Sequence, residues 1–172
     1  PCSPAPRRPI PSACRGAGWG PGFVMILAMS TATVSFTIYG PYLMETLYGV
    51  SPLAGGFMLA AESVAWSLAA IVFAGATVRR EPLLIRTGVL CITGGIVGFA
   101  LVMPHGPVIW LLPWALLQGA GFGMCWAFVV RRLVARVDPT DRVRTSSAAP
   151  TLQMIGYALG AALAGLVANG LG

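Results

Sequence analysis

Charged residues divide the chain into long stretches that are uncharged and mainly apolar. The stretches without Asp, Glu, Lys or Arg are residues 16–44, 46–61, 63–78, 87–130 and 145–172. A helix that crosses a bilayer needs about 20 mainly apolar residues; three of these stretches exceed that length, and the two others join around Glu62. Since apolar stretches recur to the last residue, a single signal peptide does not account for them. The pattern predicts a membrane protein with several spanning helices.

Prolines and glycines predict where the helices end. The uncharged run at 87–130 is too long for one span, and the sequence MPHGP at 103–107 divides it into two helices joined by a tight hairpin. Pro41 and Pro52, with nearby tyrosines, are expected to break the helices at the membrane surface after the first span. We therefore expect an all-α, polytopic membrane bundle with five spans, at about 22–43, 52–78, 82–102, 108–130 and 146–171.

Residues 1–21 differ in composition from the rest of the chain. They contain six prolines and three arginines and show no apolar periodicity. Such a composition is typical of a disordered segment, so we expect a disordered lead before a transmembrane domain at 22–172. The first residue is Pro instead of Met, which suggests that the chain belongs to a longer protein.

Arginine placement predicts which parts of the chain face the cytoplasm. Only 9% of the residues are charged, against about 25% in soluble domains. The net charge of +6 comes from basic residues that are all arginine and lie in three clusters, with none in the connections between them. This alternation follows the positive-inside rule, so we expect a multi-pass protein of the cell (inner) membrane with a cytoplasmic N-terminus and no nucleic-acid partner. The clusters are Arg7, Arg8 and Arg15; Arg79, Arg80 and Arg86; and Arg131, Arg132, Arg136, Arg142 and Arg144.

Glu62 places a carboxyl group near the middle of the second predicted span. A charge at the bilayer centre costs about 2.5–3.5 kcal/mol, so such residues usually face protein or a water-filled cavity. Burial favours the neutral acid and a bound cation favours the carboxylate, so Glu62 is a candidate substrate or proton-coupling site. The alternative is a protonated acid that bonds to a neighbouring helix and has no role in transport. Its helix face also carries Gly55, Leu59, Trp66, Ala69 and Phe73.

Four further residues are candidates for the lining of such a cavity. Gln118 and Gln153 are amides within the fourth and fifth spans, and each either contacts substrate or bonds to a neighbouring helix. Trp66 and Tyr157 either line a hydrophobic cavity or serve packing and interface anchoring. The hydroxyls of the first span either line a polar path or bond back to their own helix; they belong to Ser30, Thr31, Thr33, Ser35 and Thr37.

Pairs of glycines at a spacing of four residues predict close helix packing in the last three spans. Membrane helices approach each other through small residues, because lipid offers no hydrophobic drive to hold them together. The pairs are Gly94 and Gly98, Gly119 and Gly123, and Gly156 and Gly160.

Residue types that a metal site or an enzyme needs are sparse. The four cysteines lack zinc-site spacing, the single histidine, His105, lies in the predicted external hairpin, and both Asp residues lie in one predicted cytoplasmic loop. We therefore expect no metal, no cofactor and no enzymatic activity.

Two segments resemble the major facilitator superfamily, especially its multidrug efflux branch. The stretch YGPYLMETLYGVSPLAGGF, followed by a helix and an arginine-rich turn, resembles the seventh and eighth spans of that family. The stretch VDPTDRVRTSSAAPTLQMIGYALGAALAGLVANG is similar to the beginning and body of the eleventh. The resemblance implies five of twelve spans, with two six-helix halves around a central cavity, alternating access, and proton-coupled efflux of amphipathic or drug-like compounds. It also implies that the N-terminal half and the final helix are missing partners of this chain.

The resemblance also assigns a cytoplasmic gate loop. In the family, the turn after the second span of each half tends to read Gly, apolar residues, Asp, Arg, then Gly and basic residues. Gly75 and Arg80 match this pattern, whereas Arg79 stands in place of the Asp and Pro82 in place of the second Gly. The gate ion pair that the family builds from that Asp is therefore not carried over to this loop.

A non-transporting membrane scaffold, or an inactive truncated transporter, is the alternative function. A scaffold does not need a polar side chain directed into a hydrated cavity between helices. The position of Glu62 relative to such a cavity therefore discriminates between the two functions.

The predicted topology can be tested by cysteine labelling. In a background without the native cysteines, His105→Cys should react with a membrane-impermeant thiol reagent added outside the cell. Thr140→Cys should react only when the reagent reaches the cytoplasm, because it lies in an arginine-rich connection. The reverse labelling pattern would contradict the predicted orientation.

Overall fold

Five long α-helices form the protein in the computed structural model, which describes residues 20–171. Each helix is long and apolar enough to cross a membrane, and the described residues contain no β-strand. The predicted all-α fold with five candidate spans is therefore confirmed. The predicted lead and its arginines lie outside the described residues, except that Gly20 and Pro21 begin the first helix. The helices are α1 Gly20–Tyr48, α2 Pro52–Phe73, α3 Glu81–Val102, α4 Leu111–Ala135 and α5 Arg142–Leu171, with short 3-10 turns at Val108–Trp110 and Pro139–Asp141.

Helix α1 continues through Pro41, so the prediction that this proline breaks the helix is wrong. A proline removes one backbone hydrogen bond, and in membrane helices neighbouring elements compensate for that loss. Here α2 packs closely against the proline, since a Cβ atom on Gly55 would lie 3.1 Å from the Pro41 Cβ. The chain turns later, at Gly49, whose φ of 64° suits a residue without a side chain. Helix α2 then starts with Ser51 as its cap, and the Ser51 hydroxyl accepts from the Ala54 N–H at 3.4 Å.

The other helix ends also differ from the expected limits. Helix α2 ends at Phe73 instead of 78, because the Ala74 N–H closes a tight last turn on the Ile71 carbonyl at 3.3 Å and Gly75 follows. Helix α5 begins at Arg142 instead of 146, directly after a 3-10 turn that starts with proline, and it continues through Pro150. The spans are thus displaced, but their number and order are unchanged.

Helix α4 packs along α2 and α3, whereas α1 packs along α5. Contacts between these two groups are less extensive. At the end formed by the α1–α2 and α3–α4 connections, buried Phe36, Met44, Phe99 and Leu111 join the groups in one apolar cluster. Its two phenylalanine rings meet edge to face, with centroids 4.5 Å apart.

Two glycines of α4 bring its backbone against that of α2. A Cβ atom on Gly119 would overlap the carbonyl oxygen of Glu62, and one on Gly123 would overlap that of Trp66. Backbone oxygens inside a helix cannot move aside, so only glycine permits this separation. The α2–α4 distance is therefore set by these two positions.

Glycines of α5 and α3 make similar approaches. Gly156 and Gly160 of α5 pack on the backbone of α1, where a Cβ on Gly156 would lie 3.0 Å from the Leu27 carbonyl oxygen. On α3 the approach uses Gly98, which faces the Trp114 ring, and Gly95. Gly94, the predicted partner of Gly98, meets only the Leu117 side chain, at 3.6 Å. Successive residues of a helix point about 100° apart, so Gly94 lies beside the contact face that its neighbour occupies.

Gly119→Ala should destabilise the protein by about 1–3 kcal/mol, because the added methyl group forces α4 away from the backbone of α2. Thermal unfolding in detergent, followed by tryptophan fluorescence, measures the change. Gly56→Ala is the matched control: it lies on α2, a Cβ there meets nothing within 4 Å, and its melting temperature should not fall. Equal melting temperatures for the two variants would contradict the close-approach argument.

Candidate functional site

A cavity of about 380 Å³ lies between α1, α2, α4 and α5, in the region where the two helix groups meet. It is mostly apolar and has one carboxyl group in its wall, that of Glu62. The residues that give the cavity its chemical character are Thr33, Thr37, Glu62, Trp66, Phe122 and Tyr157.

Glu62 is held in place by an amide from the neighbouring helix. The Gln118 side chain is 1% exposed, and its Nε2 donates to Glu62 Oε1 at 2.9 Å. The contact follows from the packing, because the next residue, Gly119, lies against the Glu62 backbone. Glu62 therefore lines the cavity, while Gln118 holds its carboxyl group from outside the cavity lining.

Tyr157 lines the cavity from α5 and is itself supported by an amide. Gln153, one turn earlier, donates from Nε2 to the Tyr157 hydroxyl oxygen at 2.9 Å. That oxygen accepts from Gln153, so its own hydrogen is free to be donated toward the cavity. The structure thus brings Glu62, Trp66 and Tyr157 to one cavity, with Gln118 and Gln153 bonded to two of them.

Aromatic rings form one wall of the cavity. The Trp66 and Phe122 rings meet edge to face with centroids 4.9 Å apart, and Trp126 stacks on Phe122 at 5.5 Å. The sequence analysis did not select Phe122, although its position one turn after Gln118 places it on the same side of α4. Such a wall suits flat apolar groups and cations, which interact with the faces of aromatic rings.

Hydroxyl groups of the cavity wall donate to their own helices. Thr33 donates to the Met29 carbonyl at 2.9 Å, Thr37 to the Thr33 carbonyl at 3.3 Å, and Ser63 to the Leu59 carbonyl at 2.9 Å. Both predicted roles of the α1 hydroxyls therefore apply to Thr33 and Thr37, which line the cavity and also donate hydrogen bonds to their own helix. With their hydrogens engaged, these oxygens offer lone pairs to the cavity.

Two further α1 hydroxyls, those of Thr31 and Ser30, do not belong to the cavity lining. Thr31 instead links α1 to α5 by donating to the Gly156 carbonyl at 3.1 Å, and Ser30 is buried. The side chain of Ser35 lies outside the described part of the structure.

The predicted gate-loop residues do not join the cavity. Gly75, Arg79 and Arg80 are exposed in the connection between α2 and α3, and none of them belongs to the cavity lining.

Beside that connection lies an ion-pair cluster that the sequence analysis missed. The Glu81 side chain is 4% exposed; its Oε2 accepts from Arg132 Nε at 3.0 Å, and its Oε1 pairs with Arg131. The signal was available, since Glu81 is the only acid in an arginine-rich connection.

The described residues contain no group of three or more His, Cys, Asp or Glu side chains that could hold a metal ion. No protein-family model and no solved structure matches the chain.

The chain is similar to two proteins of Mycobacterium tuberculosis, from strains CDC 1551 / Oshkosh and ATCC 25618 / H37Rv, each named a probable multidrug-efflux transporter. In both comparisons 29% of residues are identical over 166 aligned positions, which cover 88% of this chain and 34% of the relative. The chain thus spans about a third of the length of the curated relatives that it matches. Together with the five candidate spans, this similarity supports an integral, multi-pass membrane protein related to transporters.

Glu81→Gln should lower stability by about 1–2 kcal/mol, because two arginines lose their shared counter-charge while remaining partly exposed to water. Thermal unfolding should show a lower Tm than for the unchanged protein. Glu45→Gln is the control. It removes an exposed carboxyl group near the C-terminal end of α1 and should leave the Tm unchanged. The same Tm for both variants would show that the cluster does not stabilise the fold.

Proposed function

We propose that this chain is part of an efflux transporter of the major facilitator type and that Glu62 lies at its substrate site. The observation that carries the proposal is a carboxyl group in the middle of a candidate span that faces a cavity with an aromatic wall. The similarity to two probable multidrug-efflux transporters supports this function. A scaffold would not need a carboxyl group at this position, so the cavity favours transport over that alternative.

The substrates are small, amphipathic and cationic. Among the described residues, Glu62 brings the only charged side chain to the cavity lining, and the hydroxyl oxygens of Thr33, Thr37 and Ser63 add acceptors. Acceptors and a carboxylate complement a positively charged hydrogen-bond donor. Trp66 and Phe122 complement the apolar and aromatic parts of such a compound.

A proton is the coupling ion in this proposal. In a water-poor cavity the neutral carboxyl group is favoured, whereas a bound cation favours the carboxylate. Glu62 therefore holds either a proton or a cationic substrate, which is the condition for exchange of one for the other. The free-energy cost of a charged carboxylate within the span is lowest when a cation is bound beside it.

The described helices form one wall of the transport path. In the family scheme they are the seventh to eleventh of twelve spans, and the remaining spans complete the cavity. Rocking of the two halves then opens the cavity to each side of the membrane in turn. The arginine-rich connections face the cytoplasm, in keeping with the positive-inside rule.

Glu62→Gln should reduce the efflux rate of a fluorescent lipophilic cation roughly tenfold or more, because a charged contact contributes about 1.5–3 kcal/mol. Efflux is measured in cells that express the complete transporter to which this chain is proposed to belong, at matched levels in the membrane. Glu45→Gln is the control, since this exposed carboxyl lies outside the cavity lining and its loss should leave the rate unchanged. An unchanged rate and unchanged pH dependence for Glu62→Gln would refute the proposed role of the site.

A further inference from the structure

The Gln118 amide is only half satisfied. Its Nε2 donates to Glu62 Oε1 at 2.9 Å, whereas its Oε1 is fully buried and has no hydrogen-bond donor in the described part of the chain. Buried polar atoms are nearly always bonded, and an orphan acceptor costs about 1–3 kcal/mol. The bare amide oxygen therefore calls for a physical explanation.

The Gln118 side chain is enclosed by the neighbouring helices. On one side α3 presses against it, since a Cβ atom on Gly95 would lie 2.8 Å from the Gln118 Cβ. On the other side Gly119 holds α4 against the Glu62 backbone. The amide is thus fixed opposite the Glu62 carboxyl group.

The second oxygen of that carboxyl group is also unbonded. Glu62 Oε1 accepts from Gln118, and Oε2 has no partner among the described residues. An ionised carboxylate only accepts hydrogen bonds, so it cannot satisfy the amide oxygen. A protonated carboxyl group can: its Oε2–H donates to Gln118 Oε1 while the existing bond to Oε1 of Glu62 remains. The two antiparallel bonds of such an acid–amide ring satisfy the polar atoms of both groups.

Other groups around Glu62 do not offer an equivalent partner. From α5 the cavity receives Tyr157, which is titratable; its hydroxyl oxygen accepts from Gln153, and no hydrogen bond joins it to Glu62 or Gln118 in the described part of the chain. From α1 it receives Thr33 and Thr37, whose hydrogens bond to their own helix. The part of the lining that the structure describes contains no Arg, Lys, His or Asp.

We propose that Gln118 is a positioning residue that holds the proton of Glu62. Its amide oxygen accepts from the protonated carboxyl group, and its Nε2 binds either protonation state. A cation in the cavity favours the carboxylate, so its arrival opens the ring and the proton leaves to cavity water. The role of the ring in exchanging a proton for a cationic substrate rests on the proposed function. The existence of the ring does not.

Infrared difference spectra of the purified protein in lipid vesicles, taken between acidic and alkaline buffer, test the ring. The C=O band of protonated Glu62 is identified by its loss in Glu62→Gln. In Gln118→Leu this band should shift to higher frequency, because the carboxyl group loses both partners. Asn169→Leu removes an exposed amide of α5 and should leave the band in place. An unshifted band in Gln118→Leu, or no Glu62 band in the unchanged protein, would overturn the proposal.

The exchanged double variant Glu62→Gln with Gln118→Glu provides a test if Gln118→Leu does not fold. It reverses the acid and the amide, so its band should lie at the frequency of the unchanged protein. A band at the frequency of an unpaired carboxyl group would overturn the ring.

Efflux measurements separate this proposal from the proposed function. Normal efflux by Glu62→Gln together with the expected band shift would refute the transport role and support the ring. Lost efflux by Glu62→Gln together with an unshifted band in Gln118→Leu would support the transport role and refute the ring.

Discussion

The backbone contact between α2 and α4 determines the geometry of the site. Gly119 and Gly123 allow the two helices to approach until Cβ atoms would overlap backbone oxygens. Gln118 reaches Glu62 only because it stands beside the first of these glycines. Packing and site chemistry are thus one constraint in this protein: a change that separates the helices also removes the hydrogen bond that holds the carboxyl group.

Glu62 and Glu81 are stabilised in different ways. Glu81 lies at the beginning of α3, where Arg131 and Arg132 neutralise it. Glu62 lies in the middle of α2, where its bonded partner is a neutral amide. A fully paired acid stabilises a fixed arrangement, whereas an acid beside a neutral group retains capacity to bind a proton or a cation. The second arrangement is the one that faces the cavity.

Sequence reasoning was sufficient for features that depend on local composition. The number of candidate helices follows from the uncharged stretches, and Glu62 is conspicuous because a charge within a span is costly. Features that depend on contacts between distant residues were not accessible. The Glu62 and Gln118 bond, the choice of Gly95 over Gly94, and the Glu81 cluster all require knowledge of helix neighbours and rotation. The contact between Pro41 of α1 and Gly55 of α2 is likewise one that only the packed structure reveals.

Contacts between the two helix groups are sparser than the contacts within each group. Gly156 and Gly160 pack α5 against α1, and Gly119 and Gly123 pack α4 against α2. Tyr157 belongs to the first of these helix pairs and Glu62 to the second. The separation between the Tyr157 hydroxyl and the Glu62 carboxyl group therefore depends on the sparser contacts between the two groups, and neither glycine contact fixes it.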